Sequence, residues 1–242
     1  MNDHLAFACL VVLPYVAVAT LVGASFWRYR RLPFSYSALS TQFLENHHQF
    51  WASLAFHWGV ILVLGGHLVA FLVPGQILAW NADPYRLLIL ELTALVGGLL
   101  ALAGIAGYIA RRVFHPRVRV VTSRMDVMLL ALLAVQILTG IAIALWYPWG
   151  SSWYAAVMAP YLWSLVTLSP DAGAVAAMPA LVLTHVLGAW LLVIIFPFTR
   201  LVHLLVAPFS YAFWKQQHQR WYADRRLVRT SGRATTRTQA RF

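Results

Sequence analysis

Four of the nine histidines lie in strongly apolar stretches of the sequence. His57 and His67 occur in "FHWGVILVLGGHLVAF", and His185 and His203 occur in "THVLGAWLLVIIFPFTRLVH". A titratable ring is costly in hydrocarbon and usually has a reason. Taken singly, each of these four histidines is either a core histidine bonded to a backbone carbonyl or a metal ligand, since the neutral imidazole nitrogen commonly binds metals. The other histidines fall at span ends or in polar segments, where we interpret them as solvated or interfacial: His4, His47, His48, His115 and His218.

The composition places the chain in the membrane class of proteins. Its 242 residues are 61% hydrophobic and 10% charged, and the mean hydropathy is +0.71. Hydrophobic runs near the ~20 residues that a helix needs to cross the bilayer core predict five spans, roughly at 5–26, 51–73, 87–110, 126–146 and 178–207. We therefore predict an all-α integral membrane bundle, with a five-helix domain at 1–207 and a basic tail at 208–242.

The distribution of positive charge predicts the orientation of these spans. Arginines concentrate in 27–50, in 111–125 and in the tail, whereas 147–177 has no basic residue and 74–86 has only Arg86. By the positive-inside rule, the N-terminus faces outward and the C-terminus faces the cytoplasm. The net charge of +11 therefore indicates contact with anionic lipid or with a partner subunit, and not with nucleic acid. The start "MNDHLAFA" lacks a basic region, so we expect no cleaved signal peptide.

This topology pairs the four intramembrane histidines at two depths. The second span runs outward and the fifth runs inward, so His57 lies near the level of His203 and His67 near the level of His185. Two neutral imidazoles that face each other across a bundle are the arrangement for bis-histidine haem iron. The sequence therefore predicts two non-covalent b-type haems, with His57 and His203 as the axial ligands of an inner haem and His67 and His185 as those of an outer haem.

The spacing of the histidines tests this pairing. The eighteen residues from His185 to His203 make five whole turns of helix, which puts both rings on one face ~27 Å apart. The ten residues from His57 to His67 give only ~15 Å and a rotation of roughly 80° from a common face. Tilted haems, tilted helices or a bend must absorb the difference of ~12 Å, and Pro197 is an identifiable cause of a bend.

The single cysteine limits the other redox chemistry of the chain. Cys9 alone cannot hold an iron–sulfur cluster, which takes about four protein ligands, and no C-x-x-C-H motif for a c-type haem occurs. Any metal chemistry must therefore depend on histidine. An alternative of another class is a transporter or proton channel that uses a histidine relay, but the internal repeats and broken helices that transporters often show are not evident in the sequence.

Small and basic residues next to the histidines have two interpretations. Glycines beside His57, His67 and His185 either leave room for a flat macrocycle or allow ordinary close packing of helices. These glycines are Gly59, Gly65, Gly66 and Gly188. Arg200, one turn before His203, either contacts a haem propionate or extends its side chain to the membrane surface.

The chain resembles the gamma subunit of the respiratory nitrate reductases, which is the membrane cytochrome b of a three-subunit complex. The resemblance covers nearly the whole chain and is carried by the four-histidine pattern and three stretches: "FHWGVILVLGGHLVAFLVP", "FHPRVRVVTSRMDVMLLALLAVQ" and "THVLGAWLLVIIFPFTRLVHLLVAP". It implies five transmembrane helices and two b haems, with the same ligand pairs that the topology indicates.

The resemblance also implies a function in the cytoplasmic membrane of a bacterium or archaeon. Quinol is oxidised near the outer haem, and electrons pass inward to an iron–sulfur beta subunit and a molybdenum alpha subunit on the cytoplasmic side. In the family a lysine after the second span serves the quinol pocket; the matching region here, "PGQILAWNADPYRLL", differs in length, and Gly66, Tyr85 and Arg86 are the candidates. An alternative partner is another oxidoreductase, linked to heterodisulfide or sulfite reduction.

Overall fold

The computed structural model describes residues 2–32, 35–36, 44 and 47–206. Within these residues there is no strand, and five helices are long and apolar enough to cross a membrane. We label them α1 (Asp3–Arg31), α2 (His47–Leu72), α3 (Pro84–Phe114), α4 (Arg124–Trp146) and α5 (Ala180–Ile195). The predicted all-α membrane bundle of five spans is confirmed. The predicted basic tail at 208–242 lies outside the described residues.

Short helices connect the long ones. Pro74–Asn81 joins α2 to α3, and Pro116–Val120 joins α3 to α4. Between α4 and α5 the chain forms Gly150–Trp153, Tyr154–Met158, Ala159–Val166 and Gly173–Ala176. The second of these is a π-helical turn, and another interrupts α1 at Ala8–Val12. Such turns occur often at functional sites, because they change the direction of the side chains that follow.

Side-chain caps fix where α3 and α4 begin. Asp83 precedes Pro84 and accepts hydrogen bonds from the backbone N–H groups of Tyr85 and Arg86, at 2.9 and 3.1 Å. Ser123 and Asp126 form a reciprocal capping box at the start of α4: each side chain accepts from the backbone N–H of the other residue, at 3.1 and 3.0 Å. These caps satisfy N–H groups that have no partner inside the helix.

Helices α2 and α3 pack antiparallel through small residues. A Cβ atom added to Gly59 would lie 2.6 Å from the carbonyl oxygen of Gly97, and one added to Gly104 would lie 2.5 Å from the Cα of Phe56. Gly59 therefore serves close helix packing, which was one of its two interpretations. Because the two helices run antiparallel, each step forward along α2 matches one step backward along α3. These contacts therefore place residue 93 of α3 at the level of His67.

The fifth span is not one continuous helix. After α5 the chain makes a 3₁₀ turn at Phe196–Phe198, an extended residue at Thr199 and a 3₁₀ segment at Arg200–Val206. Pro197 has no N–H to donate to the preceding turn, which ends the α-helical hydrogen-bond ladder. The bend expected at Pro197 is therefore present, but the estimate that five whole turns separate His185 from His203 is wrong.

The two ends of the bundle differ in composition. We call the end where α2 and α4 begin the basic end; Arg28, Arg112 and Arg200 meet there, and the Arg28 guanidinium donates to the carbonyls of Pro197 and Thr199. The opposite end, formed by 74–83 and 147–177, is called the aromatic end.

A hydrophobic core holds α1 and α5 to the aromatic end. It includes Leu10, Met158, Leu165 and Val182. The Tyr161 hydroxyl donates to the Leu10 carbonyl at 2.7 Å, and burial raises the pKa of Tyr161 to about 12, so the phenol is a donor at any physiological pH. This core fixes the segment that lies beside His67.

Candidate functional site

His57 and His203 face each other at the basic end. Their ring centroids are 6.3 Å apart, and the ring planes make an angle of 68°. Two imidazoles that share one metal ion through bonds of about 2.0 Å would have their centroids roughly 6 Å apart. The structure thus brings the predicted inner pair together at a separation that fits a shared metal.

A cavity of about 480 Å³ opens beside this pair. The volume lies in the range typical of cofactor and ligand sites. Its walls are largely apolar, with contributions from Phe50, Leu54, Ile61, Leu129 and Leu133. Its polar lining includes Tyr108, Arg112, Asp126 and Arg200. An apolar slot with a charged edge suits a flat hydrophobic ring that carries carboxylates, which is the chemical description of haem.

Arg112 provides a direct test of that fit. One of its terminal nitrogens donates to the Tyr108 carbonyl at 3.2 Å, whereas its Nε is buried and has no hydrogen-bond partner among the described residues. A buried donor without an acceptor is costly. A haem propionate would supply that acceptor, in the charge-assisted geometry that arginine favours. The residues therefore fit the cofactor that the sequence predicts.

Arg200, which we considered as a propionate contact, is placed against Asp126. Its Nη2 donates to one carboxylate oxygen at 2.7 Å and its Nε donates to the other, so the pair is bidentate. The Asp126 side chain is 5% exposed and that of Arg200 is 22% exposed. Sequence reasoning missed this partner, because 74 residues separate the two positions.

Three of the four histidines are fixed in the same tautomer by backbone carbonyls. The Nδ1 atoms lie at hydrogen-bond distance from the carbonyl oxygen of a residue three or four positions earlier: His57 from Ser53 at 2.8 Å, His67 from Val63 at 2.8 Å and His203 from Arg200 at 2.6 Å. A carbonyl only accepts, so Nδ1 carries the proton and Nε2 keeps its lone pair. This is the state of a metal-binding histidine.

His185 has the same tautomer, which α4 fixes. Its Nδ1 is 2.9 Å from the hydroxyl of Thr139, which itself donates to the Val135 carbonyl and therefore accepts from His185. The Nε2 of His185 lies 3.2 Å from the amide nitrogen of Gln136, which donates to it. The Nε2 lone pair of His185 is thus engaged by Gln136, and a metal ion bound there would have to displace this hydrogen bond. Gln136 and Thr139 are polar residues in an otherwise apolar helix, a signal from which the sequence could have identified them.

The outer pair is arranged differently from the inner one. The ring against His67 is that of Tyr154, with centroids 5.1 Å apart and an angle of 82°. Tyr154 is the first residue of the π-helical turn, and burial raises the pKa of its phenol. The phenol therefore stays protonated at neutral pH and can donate a hydrogen bond. Sequence reasoning did not single out Tyr154.

The three candidates for the quinol pocket do not converge on His67. Gly66 faces open space, because a Cβ added there would meet no atom within 4 Å. Tyr85 is 79% exposed, and the Arg86 guanidinium stacks 5.4 Å from the centre of the Trp80 ring. From the packing register, Tyr85 and Arg86 lie about two helical turns, or ~10 Å, from the level of His67 toward the aromatic end.

The described part of the chain has no group of three or more His, Cys, Asp or Glu side chains that could hold a bare metal ion. A bis-histidine haem needs only two protein ligands, since the macrocycle supplies the others. His57 with His203 and His67 with His185 are the residues that would hold the two haems, and Arg112 would contact a propionate of the first.

Comparison with known proteins agrees with these features. Residues 6–222 match the family described as nitrate reductase gamma subunit. The nitrate reductase gamma chain of Bacillus subtilis is 28% identical over 204 residues, which cover 83% of this chain and 91% of that protein. The respiratory nitrate reductase 2 gamma chain of Escherichia coli is 30% identical over 206 residues, which cover 83% and 90%. A nitrate reductase-like protein of Mycobacterium tuberculosis, NarX, is 30% identical over 212 residues, or 84% of this chain and 32% of that protein.

Proposed function

Because the chain belongs to the nitrate reductase gamma subunit family, we propose that it oxidises quinol near the aromatic end and delivers the electrons to partner subunits at the basic end. The family makes it a multi-pass membrane cytochrome b subunit of nitrate reductase, and its gamma-chain relatives imply association with alpha and beta subunits. Two b haems, when bound, supply reversible one-electron transfer between the two ends.

The observation that carries the proposal is the state of the four histidines. Three of them keep the Nε2 lone pair available, whereas the Nε2 of His185 accepts a hydrogen bond from Gln136. The two histidines on α2 lie at different depths of one unbroken helix. Ten residues of α-helix separate them by ~15 Å. Two ligand sites at two depths suit stepwise transfer across the membrane, which a single site would not provide.

The direction of transfer follows from charge. The arginines at the basic end favour a cytoplasmic location by the positive-inside rule, and the cytoplasmic (inner) membrane is the membrane that we propose. Quinol would then lose its electrons and its protons near the outer face, with Tyr154 beside His67 as a hydrogen-bond donor. The electrons would leave the inner site for an iron–sulfur beta subunit, and nitrate would be reduced in a molybdenum alpha subunit.

The test is a comparison of two ligand variants in the purified complex. Acid–acetone extraction should release two haems per wild-type chain. His203→Ala should remove one haem while quinol still reduces the other, with transfer to the acceptor blocked. His67→Ala should stop quinol reduction of whatever haem remains. His115→Ala, at the basic end but outside the proposed sites, serves as the matched control and should keep both haems.

Two results would contradict the proposal. If the His67 variant kept fast quinol reduction while the His203 variant lost it, quinol would enter at the basic end. If the folded wild type showed no haem absorbance in a reduced-minus-oxidised spectrum, a histidine relay for protons would replace electron transfer. Co-purified subunits would identify the oxidoreductase and separate nitrate reductase from a heterodisulfide- or sulfite-linked complex.

A further inference from the structure

The segment that carries His203 does not continue the α-helical hydrogen-bond ladder of α5. The helix ends before it, and Thr199 is extended, so the 3₁₀ segment Arg200–Val206 begins without an α-helical hydrogen-bond ladder leading into it. Hydrogen bonds through Thr199 connect it to the preceding turn, and contacts with other helices add to these in fixing the position of the His203 ring. The Arg28 guanidinium of α1 donates to the carbonyls of Pro197 and Thr199, just before the segment, and the Arg200 side chain of the segment reaches Asp126 of α4.

The ion pair of Arg200 with Asp126 ties the start of this segment to α4. The pair has two parallel hydrogen bonds, a geometry that fixes both the position and the plane of the guanidinium. Asp126 is itself held, because its carboxylate accepts from the backbone N–H of Ser123 at 3.0 Å. One nearly buried carboxylate thus joins the capped end of α4 to the first residue of the 3₁₀ segment.

Arg200 also sets the orientation of the His203 ring. The carbonyl of Arg200 accepts the Nδ1 hydrogen of His203 at 2.6 Å. The side chain of Arg200 is therefore anchored to Asp126 while its backbone anchors the imidazole. Because His57 stands 6.3 Å away on the rigid α2, the spacing of the inner pair depends on this chain of contacts.

We propose that Asp126 is a positioning residue of the inner site, which holds His203 opposite His57 through Arg200. Arg200 and Arg112, which both line the cavity, then have different roles. Arg200 forms a neutral pair with Asp126 and fixes the ligand segment, whereas Arg112 keeps a buried donor for the anionic group of a bound haem. This inference rests on the proposed function only in that a haem is the occupant.

Binding of carbon monoxide to the reduced protein measures the positioning directly. A haem with two histidine ligands has no open coordination position, and loss of one ligand creates it. Asp126→Asn keeps the shape of the side chain and its cap on Ser123 but removes the charge that holds Arg200. We expect the fraction of haem that binds carbon monoxide to rise about tenfold or more, the factor that corresponds to ~1.4 kcal/mol, while the second haem stays unreactive. Arg200→Gln should have the same effect, and the double variant should exceed neither single one.

Two controls separate positioning from general damage. Glu91→Gln neutralises a carboxylate at the aromatic end, where it accepts from the Ser151 N–H at 2.9 Å, and should leave both haems unreactive. Ser123→Ala removes the cap of α4 but leaves the ion pair, and should also leave them unreactive.

Three outcomes would overturn the inference. The first is an Asp126→Asn protein as unreactive as the wild type. The second is equal reactivity in Ser123→Ala, since helix capping would then explain the effect. The third is loss of both haems in Asp126→Asn but not in Glu91→Gln, which would make the pair a folding element. None of these readouts uses quinol or a partner subunit, so a wild type that binds two haems but oxidises no quinol would overturn the proposed function alone.

Discussion

Replacing Gly59 with alanine tests whether the close packing of α2 on α3 positions the histidines of α2. The added methyl group would lie 2.6 Å from the Gly97 carbonyl oxygen and 2.9 Å from the Cα of Ala101. An ordinary C···O contact is ~3.4 Å, so the helices would have to separate locally by about 1 Å. Both contacts are to backbone atoms, which cannot move aside as a flexible side chain can.

The expected cost has two parts. Overpacking of this kind destabilises a well-packed interface by about 1–3 kcal/mol. A shift of ~1 Å in a functional group can also cost about a hundredfold in rate, and α2 carries both His57 and His67. We therefore expect Gly59→Ala to unfold at a lower temperature and to retain less haem at both sites after purification in detergent.

The measurement is a thermal unfolding curve combined with the haem content per chain. Gly23→Ala in α1 is the matched control, because a Cβ there meets no atom within 4 Å. It should be unchanged or slightly more stable, since alanine is the better helix former by about 0.5–1 kcal/mol. If Gly59→Ala matched Gly23→Ala in both stability and haem content, the close approach of α2 to α3 would not determine the site geometry.

Three further predictions concern individual sites. Arg112→Gln should speed the loss of one haem to apomyoglobin by about tenfold or more, since a hydrogen bond to a charged group contributes about 1.5–3 kcal/mol; the exposed Arg119→Gln should not. Thr139→Val removes the acceptor of the His185 Nδ1 proton and makes that ligand less basic, so a redox titration should show one midpoint potential raised and the other unchanged; a lowered potential would contradict the tautomer. A reporter fused after Phe242 should be active only if it functions in the cytoplasm, and periplasmic activity would reverse the order of the two sites.

The sequence predicted the helices well because hydropathy and length determine membrane spans almost alone. The observed bounds of α2, α3 and α4 differ from the predicted ones by a few residues. His57 and His203 could be paired from the topology because that inference needed only their depth in the membrane, and the structure places their ring centroids 6.3 Å apart.

The contacts that surround the histidines were not predictable in the same way. The pairing of Arg200 with Asp126 and the contact of Tyr154 with His67 join residues far apart in the chain, and no local pattern records them. The ends of the fifth span were misjudged for a different reason. Hydropathy continues through Phe196–Phe198 and beyond, although the backbone hydrogen bonds that define the helix do not.

The break at Thr199 has a consequence for how the protein meets membranes of different thickness. Spanning helices respond to a thicker or thinner bilayer by changing their tilt. His185 lies on α5 and moves with it, whereas His203 lies beyond the break, and Arg200 ties its segment to Asp126 of α4. A change in the tilt of α5 is therefore absorbed at the extended residue before it reaches the His203 segment. The distance between His57 and His203 therefore does not change when hydrophobic mismatch alters the tilt of the fifth span.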